Sequence, residues 1–428
     1  MLPSRRGTRG LAGAGAAAYA LLCCAACGAT SEPAHTAAAR QAAPAPSVTA
    51  RDAASSAPAG CPEAYAAALG AIAARIYHQA ATGRNVGQAV HRVRNSASLI
   101  AAARAGDAAG TRAALRSLLL GQIAQIQVLR GGHVLASAGS GAAVAPVSGT
   151  LPGAGGARYR LSVQSDETYT QVTRQVTGAE VLLYSGAQAP RRVAGTISVP
   201  AGTAVPTSGP LTIGSHAYQV ASLSGSAYPS GALRIALLVP TSEISCPANP
   251  ALTRSAVFGR VGERIYEAEQ HSPVVAATVR RMENTAAFKS AVAHHDAAAT
   301  REAILGFFAA HIHVVRVRVV VDGKLLVDVG GPYALAPVSG TLRSGGREIG
   351  RFLTAIQDDA GYLKLARLFT GAEVLMRTGS KQVMGTLSPG PARVPDRGTV
   401  SYRGHTYQAY SFMATAFPSG PLRISLLY

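Results

Sequence analysis

Thr177-Gly178-Ala179-Glu180-Val181-Leu182 occurs a second time, unchanged, as Thr370 to Leu375. The segments on either side recur in the same order. Upstream, Arg75-Ile76-Tyr77 matches Arg264-Ile265-Tyr266, and Thr111-Arg112 matches Thr300-Arg301, with no gap between these pairs. Closer in, Ala145-Pro146-Val147-Ser148-Gly149-Thr150-Leu151 returns identically at Ala336 to Leu342. Downstream, His216-Ala217-Tyr218-Gln219 matches His405-Thr406-Tyr407-Gln408. Shared register over this distance makes the chain a tandem duplication.

Each copy opens in helical period and ends in strand period. Tyr65, Leu69, Ile72 and Ile76 form one apolar stripe at helical spacing, and Phe258, Val261 and Ile265 repeat it. Thr82-Gly83 and Ser272-Pro273 break these helices. A second helical stretch carries Asn95 and Leu99, and a third begins near Asp107. β-Branched runs follow at 123–129 and 312–321, each turning at a glycine pair or at Asp322-Gly323 into a hairpin. The expected fold class is therefore α+β, with N-terminal helices followed by an antiparallel sheet in each repeat. The expected boundaries are 61–246 for the first repeat and 250–428 for the second.

The 428 residues carry a formal charge of +19. The arginines are scattered, with no run of five or six Lys/Arg, so nucleic-acid binding is not expected. Arg5, Arg6 and Arg9 precede an apolar run starting at Leu11, the layout of a secretory signal over residues 1–27. Cys24-Ala25-Ala26-Cys27-Gly28 resembles a bacterial lipobox, which makes Cys27 the lipidated mature N-terminus. Ordinary signal cleavage nearby is the alternative. Residues 28–60, rich in Ala, Pro, Ser and Thr, read as a tether. Lipidation leaves Cys61 and Cys246 as the unmodified thiols; outside the cytoplasm they are expected to form a disulfide.

Within the strands, Thr177-Gly178, Arg192-Val193-Ala194-Gly195-Thr196 and Gly214-Ser215-His216-Ala217-Tyr218 follow one another. Thr370-Gly371, Val383-Met384-Gly385-Thr386 and Gly404-His405-Thr406-Tyr407 repeat the series. This order resembles Cache domains, the extracytoplasmic PAS-like sensor modules of bacterial receptors. The resemblance implies a PAS-like sheet in each repeat holding a small ligand. Cache receptors normally continue into a membrane helix and an output domain, and neither is expected here. The resemblance and the lipobox at Cys27 together suggest a lipid-anchored sensory protein at the cell surface, with no output domain of its own, that passes its signal to a separate membrane receptor. The other reading is an envelope interaction or structural module that has lost ligand binding and contacts the cell wall.

The residues hold no His-Glu-x-x-His, phosphate loop, Cys-x-x-Cys or Gly-x-Ser-x-Gly pattern, so no enzyme, cofactor or metal site is expected. The most polar segment, 351–364, offers Arg351, Gln357, Asp358, Tyr362 and Lys364 as ligand contacts. Its carboxylates suit an amine and Arg351 a carboxylate, as in an amino acid; capping of the next helix is the competing role for Asp358 and Asp359. Arg318, on a strand, and Tyr333, after Gly330-Gly331-Pro332, complete the candidate set. His311 and His313 share a strand face, but no third metal ligand accompanies them.

Overall fold

The computed structural model describes residues 60–119, 123–186, 191–310, 314–331, 334–418 and 420–428. The signal, Cys27 and the tether up to residue 59 lie outside the described residues, as do His311, His313 and Tyr333.

The stripe that begins at Tyr65 builds α1 (Cys61–Thr82), in which Tyr65, Leu69, Ile72 and Ile76 are all buried. Three short helices follow: α2 (Arg84–Arg94), α3 (Ala97–Ala105) and α4 (Ala108–Leu119). The second helical stretch is thus two helices. Ser96 interrupts it, its hydroxyl accepting from Leu99 N as the N-cap of α3. A fifth helix, α5 (Asp166–Thr177), ends on the repeated Thr-Gly, with Gly178 left-handed at φ 74°. The second repeat gives α6 (Thr253–His271), α7 (Pro273–Asn284), α8 (Ala286–Ala293), α9 (Ala297–Ala309) and α10 (Asp359–Thr370) in the same order. None of the helices among the described residues is long and apolar enough to cross a membrane.

The strands of each repeat divide between two antiparallel sheets rather than forming one. In the first repeat, His133–Gly139, Gln125–Arg130, Arg158–Ser162 and Val147–Thr150 make a four-stranded sheet in that spatial order. A seven-stranded sheet is centred on His216–Tyr228 and Gly231–Pro240, with Glu180–Ser185 beside them. The second repeat has the same two sheets with the same strand order. The α+β, two-repeat architecture holds, with this extra sheet in each repeat.

The four-stranded sheets have private cores. Leu99, Leu115, Ile126 and Leu161 pack together in the first repeat, and Phe288, Ile304, Val317 and Phe352 in the second. The seven-stranded sheets share one core. Leu69, Ile72, Tyr169 and Ile235 join Phe258, Val261, Tyr362 and Ile424 in a single apolar cluster. Helices α1, α5, α6 and α10 carry these contacts between the repeats.

Reciprocal arginine contacts mark the seam. Arg264 of α6 donates to Thr177 O at the end of α5, and its Nη2 lies 2.6 Å from Glu243. A Cβ on Gly178 would overlap that guanidinium; a Cβ on Gly371 would overlap the guanidinium of Arg75. Each Arg-Ile-Tyr therefore sends its arginine to the Thr-Gly of the other repeat. Its tyrosine turns back to its own: Tyr77 Oη accepts from Ser226 N, and Tyr266 Oη from Thr415 N, both at 2.8 Å. Cys61 and Cys246 are joined with a Cα–Cα distance of 5.9 Å, closing the first repeat as expected.

Candidate functional site

Strand Arg316–Val321 alternates valine and arginine until its bulge, and the pleat separates them. Val317, Val319 and Val321 enter the core. Arg316 and Arg318 face the other way, and Asp328 stands opposite Arg318 on the returning arm Lys324–Gly330. Arg316 grips the Asp328 carboxylate with Nε at 2.8 Å and Nη2 at 2.9 Å, and donates to Gly331 O through Nη1. Arg318 donates to the same carboxylate from Nε at 3.0 Å and Nη2 at 2.7 Å. Both guanidiniums lie over the Phe417 ring, 4.9 and 4.8 Å from its centroid.

Two cations share one anion, so the cluster keeps a positive charge. Burial pushes the Asp328 carboxyl up, but the hydrogen bonds and charges of both arginines outweigh it and hold it below its ordinary range. Exposure separates the two arginines: the Arg316 side chain is 13% exposed and that of Arg318 is 32%. Arg318 is the arginine that solvent reaches, and its Nη1 makes no hydrogen bond among the described residues. That atom can take a carboxylate oxygen without breaking the grip on Asp328.

The other expected contacts fall elsewhere. Arg351 shares the strand face of Arg318 but is 73% exposed and paired with Glu348 at 2.7 Å. Lys364 is exposed on α10. Tyr362 leaves the ligand set: it is fully buried in the shared core, and its hydroxyl donates to Gly262 O at 2.8 Å. Gln357 is buried with Nε2 unpartnered among the described residues. It lies one short strand away from Phe417, because Ala334–Leu335 pairs with Gln357–Asp358 on one side and with Ala416 and Phe417 on the other.

Asp358 caps α10, its Oδ1 accepting from Gly361 N at 2.6 Å. Asp358→Ala is expected to lower stability by about 1 kcal/mol in a urea titration. Asp359 is buried, with Oδ1 on Ala360 N and Oδ2 unpartnered among the described residues; burial raises its carboxyl above the ordinary range. A raised carboxyl makes the folded state bind its proton more tightly than the unfolded chain does. Its contribution to stability is present at acid pH and is lost as pH rises through the folded value. Urea midpoints across that window should fall less steeply in Asp359→Asn than in the parent; identical slopes would contradict the assignment.

Asp328 and Phe417 were not among the sequence candidates. Asp328 was detectable as the lone acid on the hairpin arm returning from Arg316 and Arg318. Phe417 comes from a strand some 90 residues later in sequence and carried no such signal. Register puts Gln125, Gln127, Ser137 and Tyr228 at the equivalent places in the first repeat. The charged cluster thus belongs to the second repeat alone.

No family model and no curated protein matches the chain. Among solved structures it is similar to the periplasmic domain of LuxQ from Vibrio cholerae, at 11% identity and a TM-score of 0.28, over 41% of this chain and 99% of that one. It is also similar to an extracellular ligand binding receptor from Desulfohalobium retbaense, at 12% identity and a TM-score of 0.26, over 52% of this chain and 47% of that one.

The motif that repeats without change is occupied in structural contacts. Glu180 pairs with Arg174 at 2.9 Å and accepts from Thr196 Oγ1, and Glu373 pairs with Arg367 at 3.0 Å. Thr177 and Thr370 bond back into their helices and accept from Ala179 N and Ala372 N.

Proposed function

We propose that this chain is an extracytoplasmic small-molecule-binding protein of two Cache-like repeats, and that the second repeat holds the ligand. Its ligand carries a carboxylate, received by Arg318 beside Phe417. The observation behind this reading is the cluster itself: two arginines on one aspartate, with Arg318 Nη1 uncommitted on the sheet face turned away from the helical core. A protein that needed only a buried ion pair would be served by one arginine; the second leaves a positive charge for an anion. The Phe417 ring, 2% exposed beneath the two guanidiniums, holds Arg318 in place by a cation–π contact and leaves its outer edge to the ligand.

Lipidation at Cys27 would hold the protein at the outer face of the cytoplasmic membrane, where it would present its ligand to a separate membrane receptor. The basic, apolar and small-residue segments of 1–27 support that address. In cells, Cys27→Ala should release the protein from the membrane fraction.

Calorimetric titration of the mature protein with amino acids and small carboxylates tests the site. At least one should bind, Arg318→Ala should weaken it by about tenfold or more, and Arg351→Ala should leave it unchanged. Binding insensitive to Arg318→Ala would overturn the assignment.

A further inference from the structure

The four-stranded module of the first repeat carries a charge that its counterpart does not. Residues 84–160 hold nine arginines and a single acid, Asp107, whereas the matching residues 273–353 hold ten basic and six acidic side chains. Four of the nine arginines are drawn to one end of the module. Leu129 pairs with Arg158 in the sheet, which puts Arg130 and Arg158 together where one strand ends and the other begins. Arg130 lies against Gly106, at the turn after α3. Arg104, in the last turn of α3, donates from Nε to Gly153 O at 2.6 Å in the loop leading to Arg158. Arg94, at the end of α2, lies near enough to Tyr159 for its charge to be felt by that hydroxyl.

All four side chains are exposed, and none has an ion pair among the described residues. The nearby Asp107 is engaged as a helix cap, its Oδ1 accepting from Gly110 N at 2.9 Å. The fold does not require this cluster. In the second repeat the same four positions hold Glu283, Ala293, Val321 and Arg351; Glu283 accepts from Thr341 N, and Arg351 is paired with Glu348. One architecture with two different charge patterns, four arginines here and one acid with one arginine there, separates the electrostatics from folding.

We infer that this end of the first repeat is a docking surface for a linear acidic polymer, a glycan bearing repeated carboxylate or phosphate groups. Four cations close together repel one another and are retained where an anionic partner relieves them. They come from two helix ends and the ends of two paired strands, which makes a broad face that reads successive charges along a chain. Guanidinium forks match carboxylate and phosphate oxygens in pairs. The aromatic ring at hand, Tyr159, is buried under this face and offers no stacking platform for bases. The surface is separate from the Arg318 cluster and stands whether or not that site binds a ligand.

Retention of the full mature chain on immobilised heparin, with long-chain polyphosphate as competitor, tests the proposal. The variant Arg94→Gln/Arg104→Gln/Arg130→Gln/Arg158→Gln should elute at clearly lower salt, with a salt dependence shallower by roughly three to four ions. A variant of equal net charge, Arg280→Gln/Arg281→Gln/Arg301→Gln/Arg347→Gln, should elute with the parent. Arg94→Gln/Arg158→Gln, which removes no hydrogen bond recorded within the fold, should give about half the loss if the fourfold variant does not fold. Equal losses in the two fourfold variants would reduce the effect to net charge and overturn the docking surface. Tighter binding to phosphatidylglycerol vesicles or to duplex DNA than to the polymers would overturn the choice of partner.

Discussion

Cys61→Ser/Cys246→Ser is expected to destabilise the protein by about 4 kcal/mol, the upper part of the range for a native disulfide. The bond spans 185 residues, and the chain-entropy model gives about 5 kcal/mol for so long a loop. Its position adds a second consequence. Cys61 is the first residue of α1, whose apolar stripe enters the core shared by both repeats. Cys246 follows Glu243, which pairs with Arg264 across the seam. Releasing the bond frees the connector between the repeats, so the loss should appear in the main cooperative transition and not as fraying of one terminus. Thermal melts of the mature protein should show a fall of roughly 5 °C, and reduction of the parent protein should reproduce it. A midpoint unmoved by reduction would contradict the assignment.

Much of this arrangement was legible because the signals were local or duplicated. The stripe from Tyr65 to Ile76 and its copy specified two core helices by spacing alone. Asp358 could be read as a cap from its place before α10, and two thiols at the ends of one repeat left a single pairing. The division into two sheets was hidden, because the pieces that begin the second sheet, Ala143–Val144 and Gln164–Ser165, are two residues long and too short for any period. Tyr362 was misread for a related reason. Its polar neighbours suggested a ligand, while its helical position turned it into the core, where Gly262 O takes the hydroxyl. The arginines at 94, 104, 130 and 158 are far apart in sequence, so they counted as scattered charge until folding collected them. Arg75 and Arg264 looked like one more duplicated position; that each serves the opposite repeat is a tertiary fact.

Gly178→Ala should cost about 3 kcal/mol, and that expectation explains why the glycine of the repeated stretch stands in both copies. At φ 74° the backbone favours glycine, and any Cβ there is strained by about 1 kcal/mol. The same Cβ would occupy the space of the Arg264 guanidinium, displacing its hydrogen bond to Thr177 O and its pair with Glu243, a further loss of about 2 kcal/mol. Arg264→Ala alone should therefore cost about 2 kcal/mol. The double variant should cost less than the sum by at least about 1 kcal/mol, because the arginine can be lost only once. Urea unfolding of the four proteins in the cycle measures this coupling, and strict additivity would refute the contact. Gly371, at φ 71°, would set its Cβ against the Arg75 guanidinium, which has no hydrogen bond or ion pair to lose among the described residues, so Gly371→Ala should cost less than Gly178→Ala, about 1 kcal/mol. Thr-Gly must then satisfy two conditions at once. It ends its own helix in a left-handed residue, and it leaves room for an arginine from the other repeat. Either condition alone tolerates asparagine or a shift of the chain; together they leave glycine, in both copies.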